Sequence, residues 1–127
     1  AEQEFLDAIQ EYLLQTLGLP YQVGAICTGD MGNPDHRQFD IETWMPGQET
    51  YRETHTSDYM GGYQSRRLNT RVKRKDGTTE ALHMNDATLI AMGRTIAAIL
   101  ENYQQADGSI KIPTVLQPYF GKDIISK

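Results

Sequence analysis

At 127 residues, with 39% hydrophobic and 23% charged residues, the chain has the length of one domain and the balance of an ordinary globular protein. No apolar run approaches the ~20 residues of a membrane-spanning helix. The single cysteine, Cys27, excludes an internal disulfide and a cysteine-rich metal site, and a net charge of −5 argues against a domain that coats nucleic acid.

The chain starts at Ala1 with no charged and apolar leader, so we expect a piece of a longer protein working in a reducing compartment. Residues 2–17 place Phe5, Leu6, Ile9, Leu13, Leu14 and Leu17 at helical spacing, and Gly18 and Pro20 end that helix. Residues 21–27 read as a buried strand, and residues 28–37, with Gly29, Gly32, Asn33 and Pro34, as a loop. Phe39, Ile41, Thr43 and Met45 alternate with Asp40, Glu42 and Trp44, which predicts a strand over 39–45. Pro46 and Gly47 then turn the chain into a polar strand over 49–57, making an antiparallel hairpin.

Gly61 and Gly62 lead into a helical turn at 63–67. Residues 69–74 and 79–83 flank Asp76-Gly77, a hairpin signal in which both central residues of the turn take positive φ. The stretch 85–105 reads as one long helix, capped by Asn85 or Asp86 and apolar on nearly every side through Leu89, Ile90, Met92, Ile96, Ile99, Leu100 and Tyr103. Asp107-Gly108 makes a turn, 110–112 a short strand, and Pro113 opens a last helical turn closed by Pro118 and Gly121. This order implies an α+β fold, an antiparallel sheet flanked by helices on at least one face.

Arg94 is the one charge in the middle of the apolar stretch, and a guanidinium is not buried unpaired. No carboxylate lies three or four residues away on the helix. Its anion is therefore a carboxylate on a neighbouring strand, or a phosphate or nucleotide held against the small residues Ala91, Ala97 and Ala98. In the run Tyr51-Arg52-Glu53-Thr54-His55-Thr56-Ser57 both strand faces carry polar groups. Either this is an edge strand kept polar against aggregation, or Glu53 and Thr56 offer oxygens to a hard cation such as Mg²⁺. His36, His55 and His83 are too isolated for zinc. The basic residues Arg66, Arg67, Arg71, Lys73, Arg74 and Lys75 form a local patch, either a solvated strand face or a surface that meets phosphate.

Five segments carry a family resemblance: Cys27-Thr28-Gly29-Asp30-Met31-Gly32, Phe39-Asp40-Ile41-Glu42-Thr43-Trp44-Met45-Pro46, Tyr51-Arg52-Glu53, Tyr63-Gln64-Ser65-Arg66-Arg67-Leu68-Asn69, and the run from Gly93-Arg94-Thr95 through Gly108-Ser109. In order and spacing they resemble the catalytic domain of bacterial seryl-tRNA synthetases, and the last is similar to the third signature motif of class II aminoacyl-tRNA synthetases. The resemblance spans essentially the whole chain. It implies that residues 1–127 are the C-terminal part of that catalytic domain, with motif 3 at about 83–105. The family's N-terminal coiled coil and its motifs 1 and 2 have no counterpart in these residues.

What the resemblance implies is a cytoplasmic serine–tRNA ligase, a homodimer at full length, with L-serine, ATP and serine tRNA as partners and no membrane. ATP with Mg²⁺ activates serine to seryl-adenylate before transfer. Carried over by position, Arg94 contacts ATP together with Glu53, Thr54, His55 and Thr56, while Glu53 and Thr56 approach the metal. Thr88 matches a hydroxyl residue that holds serine, and Asp86 stands where the family has asparagine, with Asn85 as its alternative after a one-residue shift. The family run of two serines, cysteine, serine and asparagine is here Thr54-His55-Thr56-Ser57-Asp58-Tyr59, which keeps the Thr56 hydroxyl and makes His55 an unusual residue in that run. No residue is assigned to the chemical step itself, and the isolated chain is expected to be incomplete as an enzyme. The competing expectation is a synthetase-derived binding or interaction module without catalysis.

Overall fold

The computed structural model describes residues 2–126. The first helix, α1, spans Glu2–Leu17 as its apolar spacing requires. It ends in a Schellman arrangement, in which Leu19 N donates to Leu14 O and Gly18 N to Gln15 O at 3.1 Å each. Gly18 is needed twice over: its φ is +68°, and an added Cβ would stand 2.7 Å from the Tyr103 hydroxyl.

The main sheet is antiparallel in the order β1 (Tyr21–Ala25), β2 (Arg37–Met45), β3 (Thr50–Gly61) and β6 (Met84–Thr88). Between β3 and β6 the chain forms helix α2 (Tyr63–Leu68) and a separate two-stranded hairpin, β4 (Arg71–Lys73) with β5 (Thr79–Ala81). Helix α3 (Met92–Tyr103) follows β6, and the chain closes with β7 (Ile110–Lys111), α4 (Gln117–Phe120) and β8 (Ile124–Ile125), which pairs with β7. Helices α1 and α3 cover one face of the main sheet. The core there is Leu14, Leu17 and Leu19 against Ile41, Met45 and Ala98, with Leu13, Tyr21, Ile99, Tyr103 and Leu116 around it. The other face is open.

Two glutamines peg α1 to the sheet. Gln3 Nε2 donates to Ser57 O at 2.8 Å, and Gln10 Nε2 donates to both Thr56 O and Thr88 O, at 2.8 and 2.9 Å. Both side chains are fully buried, and Ser57 Oγ adds a hydrogen bond to the Asp7 carboxylate.

Four expectations need correction. The stretch 85–105 is not one helix: residues 84–88 are β6, laddered to β3 with Thr88 opposite Thr56 and Asp86 opposite Asp58, and α3 begins only at Met92. Asn85 and Asp86 therefore cap nothing; the N-cap is Ala91, without a side-chain bond. Nor is α3 buried all round. Only Thr95 and Ala98 are fully covered, while Met92, Ile96 and Leu100, with Leu89 and Ile90 ahead of the helix, are exposed. The strand at 21–27 is shorter and lies at the sheet edge, with Gln22, Val23 and Ala25 exposed. At the Asp76-Gly77 turn only Gly77 has positive φ, +89°. Gly77 N donates to Arg74 O and Arg74 N to Thr78 O, the three-residue hairpin loop that needs one left-handed residue rather than two.

The Gln10 contact has a measurable weight. Gln10→Leu keeps the bulk but removes the side-chain donor that spans the Thr56 and Thr88 carbonyls, so urea denaturation should show a loss of about 1–3 kcal/mol. A loss below about 0.5 kcal/mol would mean that these carbonyls find other partners.

Candidate functional site

The polar strand is an edge over its first half, where Thr50 to His55 pair with β2 alone. From Thr56 onward β3 is flanked by β2 on one side and β6 on the other. Its two polar faces arise from a bulge. Ile41 of β2 lies opposite His55 and Glu42 opposite Glu53, so that Thr54 has no partner of its own. Thr54 and His55 both turn inward and are buried, while Glu53 and Thr56, three residues apart, emerge on the same open face.

The inward pair is held by hydrogen bonds. Thr54 Oγ1 lies 2.7 Å from Thr43 Oγ1 and 2.8 Å from His55 Nδ1, and donates weakly to Ile41 O at 3.3 Å. Burial holds the His55 imidazole below the ordinary histidine range, against a smaller upward pull from the Leu89 backbone, so the ring is neutral at pH 7.

On the open face, Arg94 reaches from the first turn of α3 to Glu53. One of its terminal nitrogens stands 3.0 Å from Glu53 O and 3.1 Å from the carboxylate Oε1. Of the two anions that the sequence allowed, a strand carboxylate is therefore present. The pair is about half exposed on both sides, so it contributes little to stability and is easily exchanged for another partner. A cleft of ≈ 420 Å³ brings together Glu53, Thr54, His55, Thr56, Thr88 and Arg94, with Ala91, Met92 and Gly93 completing its wall. A second cleft, ≈ 590 Å³, adjoins it across the Glu53–Arg94 pair and adds Glu42, Tyr51 and Arg52.

Asp86 shares this face with Thr88 and stands directly across from Asp58. Asn85, next along β6, points to the other side of the sheet. It lines a different cleft with Gln3, His36, Tyr59 and His83, and so does not join Thr88. Two residues that the sequence reading passed over belong here: Glu42, paired with Glu53, and Asp58, paired with Asp86. Each acid thus faces another acid across the ladder, an unfavourable arrangement unless relieved. Arg94 relieves Glu53, and Gln22 Nε2 donates to Glu42 Oε2 at 2.6 Å. Asp58 has no such partner among the described residues, and its repulsion shows as a raised pKa. Burial, then the Asp35 carboxylate, raise its pKa from 3.8 to about 6, with Asp40 and Asp86 adding and the Thr56 hydroxyl opposing. Among the described residues no group of three or more His, Cys, Asp and Glu side chains can hold a metal ion alone, and no helix is long and apolar enough to cross a membrane.

A family model described as the tRNA synthetase class II core domain (G, H, P, S and T) matches residues 2–103. The serine–tRNA ligase of Dictyoglomus thermophilum is 50% identical over 118 residues, which are 93% of this chain and 28% of that protein. The serine–tRNA ligase of a Psychrobacter species is 52% identical over 117 residues, 91% of this chain and 27% of its relative. Among solved structures, seryl-tRNA synthetase from Pyrococcus horikoshii complexed with ATP superposes with a TM-score of 0.92 at 43% identity, covering 97% of this chain and 28% of that one. The cytoplasmic serine–tRNA ligase of Naegleria fowleri in complex with AMP gives 0.85 at 37% identity, covering 97% and 30%. The chain therefore spans less than a third of the length of the relatives it matches.

The Asp58 arrangement predicts a pH dependence of stability. Because its pKa is raised on folding, the folded state binds more protons than the unfolded state between pH 3.8 and about 6, and stability falls as pH rises through that window. Asp58→Asn removes this effect. In thermal melts the variant should gain about 1 kcal/mol over wild type at neutral pH, and the gain should shrink towards pH 4. A constant difference at all pH values would contradict the raised pKa.

Proposed function

The chain belongs to the class II aminoacyl-tRNA synthetase core family, and from that membership we propose that it is the C-terminal part of the catalytic domain of a serine–tRNA ligase. The observation that carries this reading is the single cleft lined by Glu53, Thr54, His55, Thr56, Thr88 and Arg94. In the whole protein we infer the activation of L-serine by ATP to seryl-adenylate and the transfer of serine to its tRNA, in a cytoplasmic homodimer.

ATP would lie on the open sheet face, with Arg94 exchanging the Glu53 carboxylate for a phosphate oxygen. The first turn of α3 adds backbone N–H groups that no side chain caps, and the positive end of the helix dipole. Thr54 and His55 act from below as the buried wall, keeping β3 bulged so that Glu53 and Thr56 face the nucleotide together.

These two residues also suit a magnesium ion. That ion accepts one carboxylate and a hydroxyl when phosphate oxygens and water complete its shell, as the sparse donor set here requires. Bound there with ATP, it would neutralise charge that develops on the leaving pyrophosphate. Thr88 would hold the substrate serine through its hydroxyl. Asp86, two residues before Thr88 on the same face of β6, would offer its carboxylate to the substrate's ammonium group.

Because the chain covers under a third of its relatives' length, nucleotide binding is the proper readout rather than turnover. Calorimetric titration with ATP·Mg²⁺ should give saturable binding. Arg94→Ala and Glu53→Ala should each weaken it at least tenfold, about 1.4 kcal/mol, while changing stability by less than about 1 kcal/mol. Unchanged affinity in both variants would remove the nucleotide from this face.

A further inference from the structure

Residues 66–75 hold Arg66, Arg67, Arg71, Lys73, Arg74 and Lys75, half of the 12 lysines and arginines in a chain whose net charge is −5. All are exposed. The ATP reading uses none of them, and they fall in two successive elements, α2 and the β4–β5 hairpin. Arg66 and Arg67 occupy the last turn of α2. Asn69, at φ 54°, ends that helix and turns the chain directly into β4. The β4–β5 hairpin then forms a sheet of its own instead of extending the main one.

These charges are largely unspent. Among the described residues only Arg74 has an ion-pair partner, Glu80, at 2.5 Å. The other acid of the hairpin, Asp76, is bound to the Thr78 backbone and hydroxyl at 2.9 and 2.7 Å. Arg71 and Lys73 lie on the same face of β4, about 6.6 Å apart by strand geometry, a step similar to that between successive phosphates of a nucleic-acid strand. Arg67 sits over the Tyr63 ring with its Cζ 3.4 Å from the centroid, and the exposed guanidinium keeps its other side for stacking. The remainder of the chain is acidic and would repel a polyanion, so the patch also sets the direction of approach.

We propose that α2 and the β4–β5 hairpin form a docking surface for the phosphate backbone of RNA, with Arg71 and Lys73 meeting successive phosphates and the Arg67–Tyr63 stack receiving an unpaired base. The choice of RNA among polyanions rests on the serine–tRNA ligase reading; the surface itself rests on charge and geometry.

The test is fluorescence anisotropy with a labelled serine tRNA transcript across a salt series, run beside ATP titration of the same samples. Wild type should bind at about 50 mM salt and weaken steeply as salt rises. Arg71→Gln combined with Lys73→Gln should bind at least tenfold more weakly and lower the slope of log affinity against log salt by about 1.4–1.8, the loss of two phosphate contacts. Arg67→Ala, in a separate chain, should weaken binding with a smaller change in slope. ATP affinity should stay at the wild-type value in every variant.

Wild-type affinity and slope in the double variant would overturn the proposal, as would equal binding to phosphatidylserine vesicles, or no RNA binding by a wild-type chain that still binds ATP. RNA binding that depends on Arg71 and Lys73 in a chain that does not bind ATP would support this surface and count against the nucleotide site alone.

Discussion

In a regular β-strand Glu53 and Thr56 would point to opposite faces of the sheet, and the unpaired Thr54 prevents it. Every property of the open cleft depends on that one extra residue. The bulge is secured from inside the core, where the Thr54 hydroxyl joins the Thr43 hydroxyl and His55 Nδ1 under full burial, while His55 Nε2 has no hydrogen-bond partner among the described residues. A neutral imidazole suits this position, because a charged ring would be placed against Ile41 with no anion to meet it. The polar interior of β3 is thus the support of its polar exterior.

The open face concentrates carboxylates and meets their repulsion by three different means. Glu53 has a guanidinium, Glu42 an amide, and Asp58 a pKa raised to about 6, so that it takes up a proton only below neutral pH. The means differ in how readily they are undone. A half-exposed ion pair is weak and exchangeable, which suits a residue that must change partners. The buried peg of Gln10 on the carbonyls of Thr56 and Thr88 is neither, and it keeps the two strands in register beneath the two hydroxyls.

Much of this was legible in the sequence, through signals that act over short distances. The spacing from Phe5 to Leu17 defined α1, Gly18 its end, and the alternation around Ile41 and Thr43 the β2 strand. The family motifs pointed to Glu53, Thr56, Thr88 and Arg94, which the fold brings to one cleft. What failed had its cause far along the chain. Asn85 and Asp86 are good capping residues, and the apolar spacing from Leu89 onward reads as helix wherever the helix begins. Only the stretch from Thr56 to Gly61, far earlier in the chain, draws 84–88 into a ladder. The bulge left a trace, polar residues on both sides of one strand, but the same trace marks an edge. The folded chain holds both, since β3 lacks a second neighbour as far as His55 while the bulge buries Thr54 and His55, and that burial is a property of the folded chain.

Helix α3 is fastened unequally along its length. Near its C-terminal end Glu101 accepts from Gly47 N at 2.9 Å, Asn102 donates to Trp44 O at 2.9 Å, and the Tyr103 hydroxyl donates to Leu17 O at 2.5 Å. At the other end no side chain caps the first turn, and Arg94 is anchored only through Glu53. Local opening of the helix should therefore start at the turn that carries its arginine, ahead of the end held by these three side chains. Amide hydrogens along α3 should accordingly exchange on a gradient, fast at Gly93 and slow at Tyr103. The guanidinium sits on the part of the helix with the greatest freedom to re-aim.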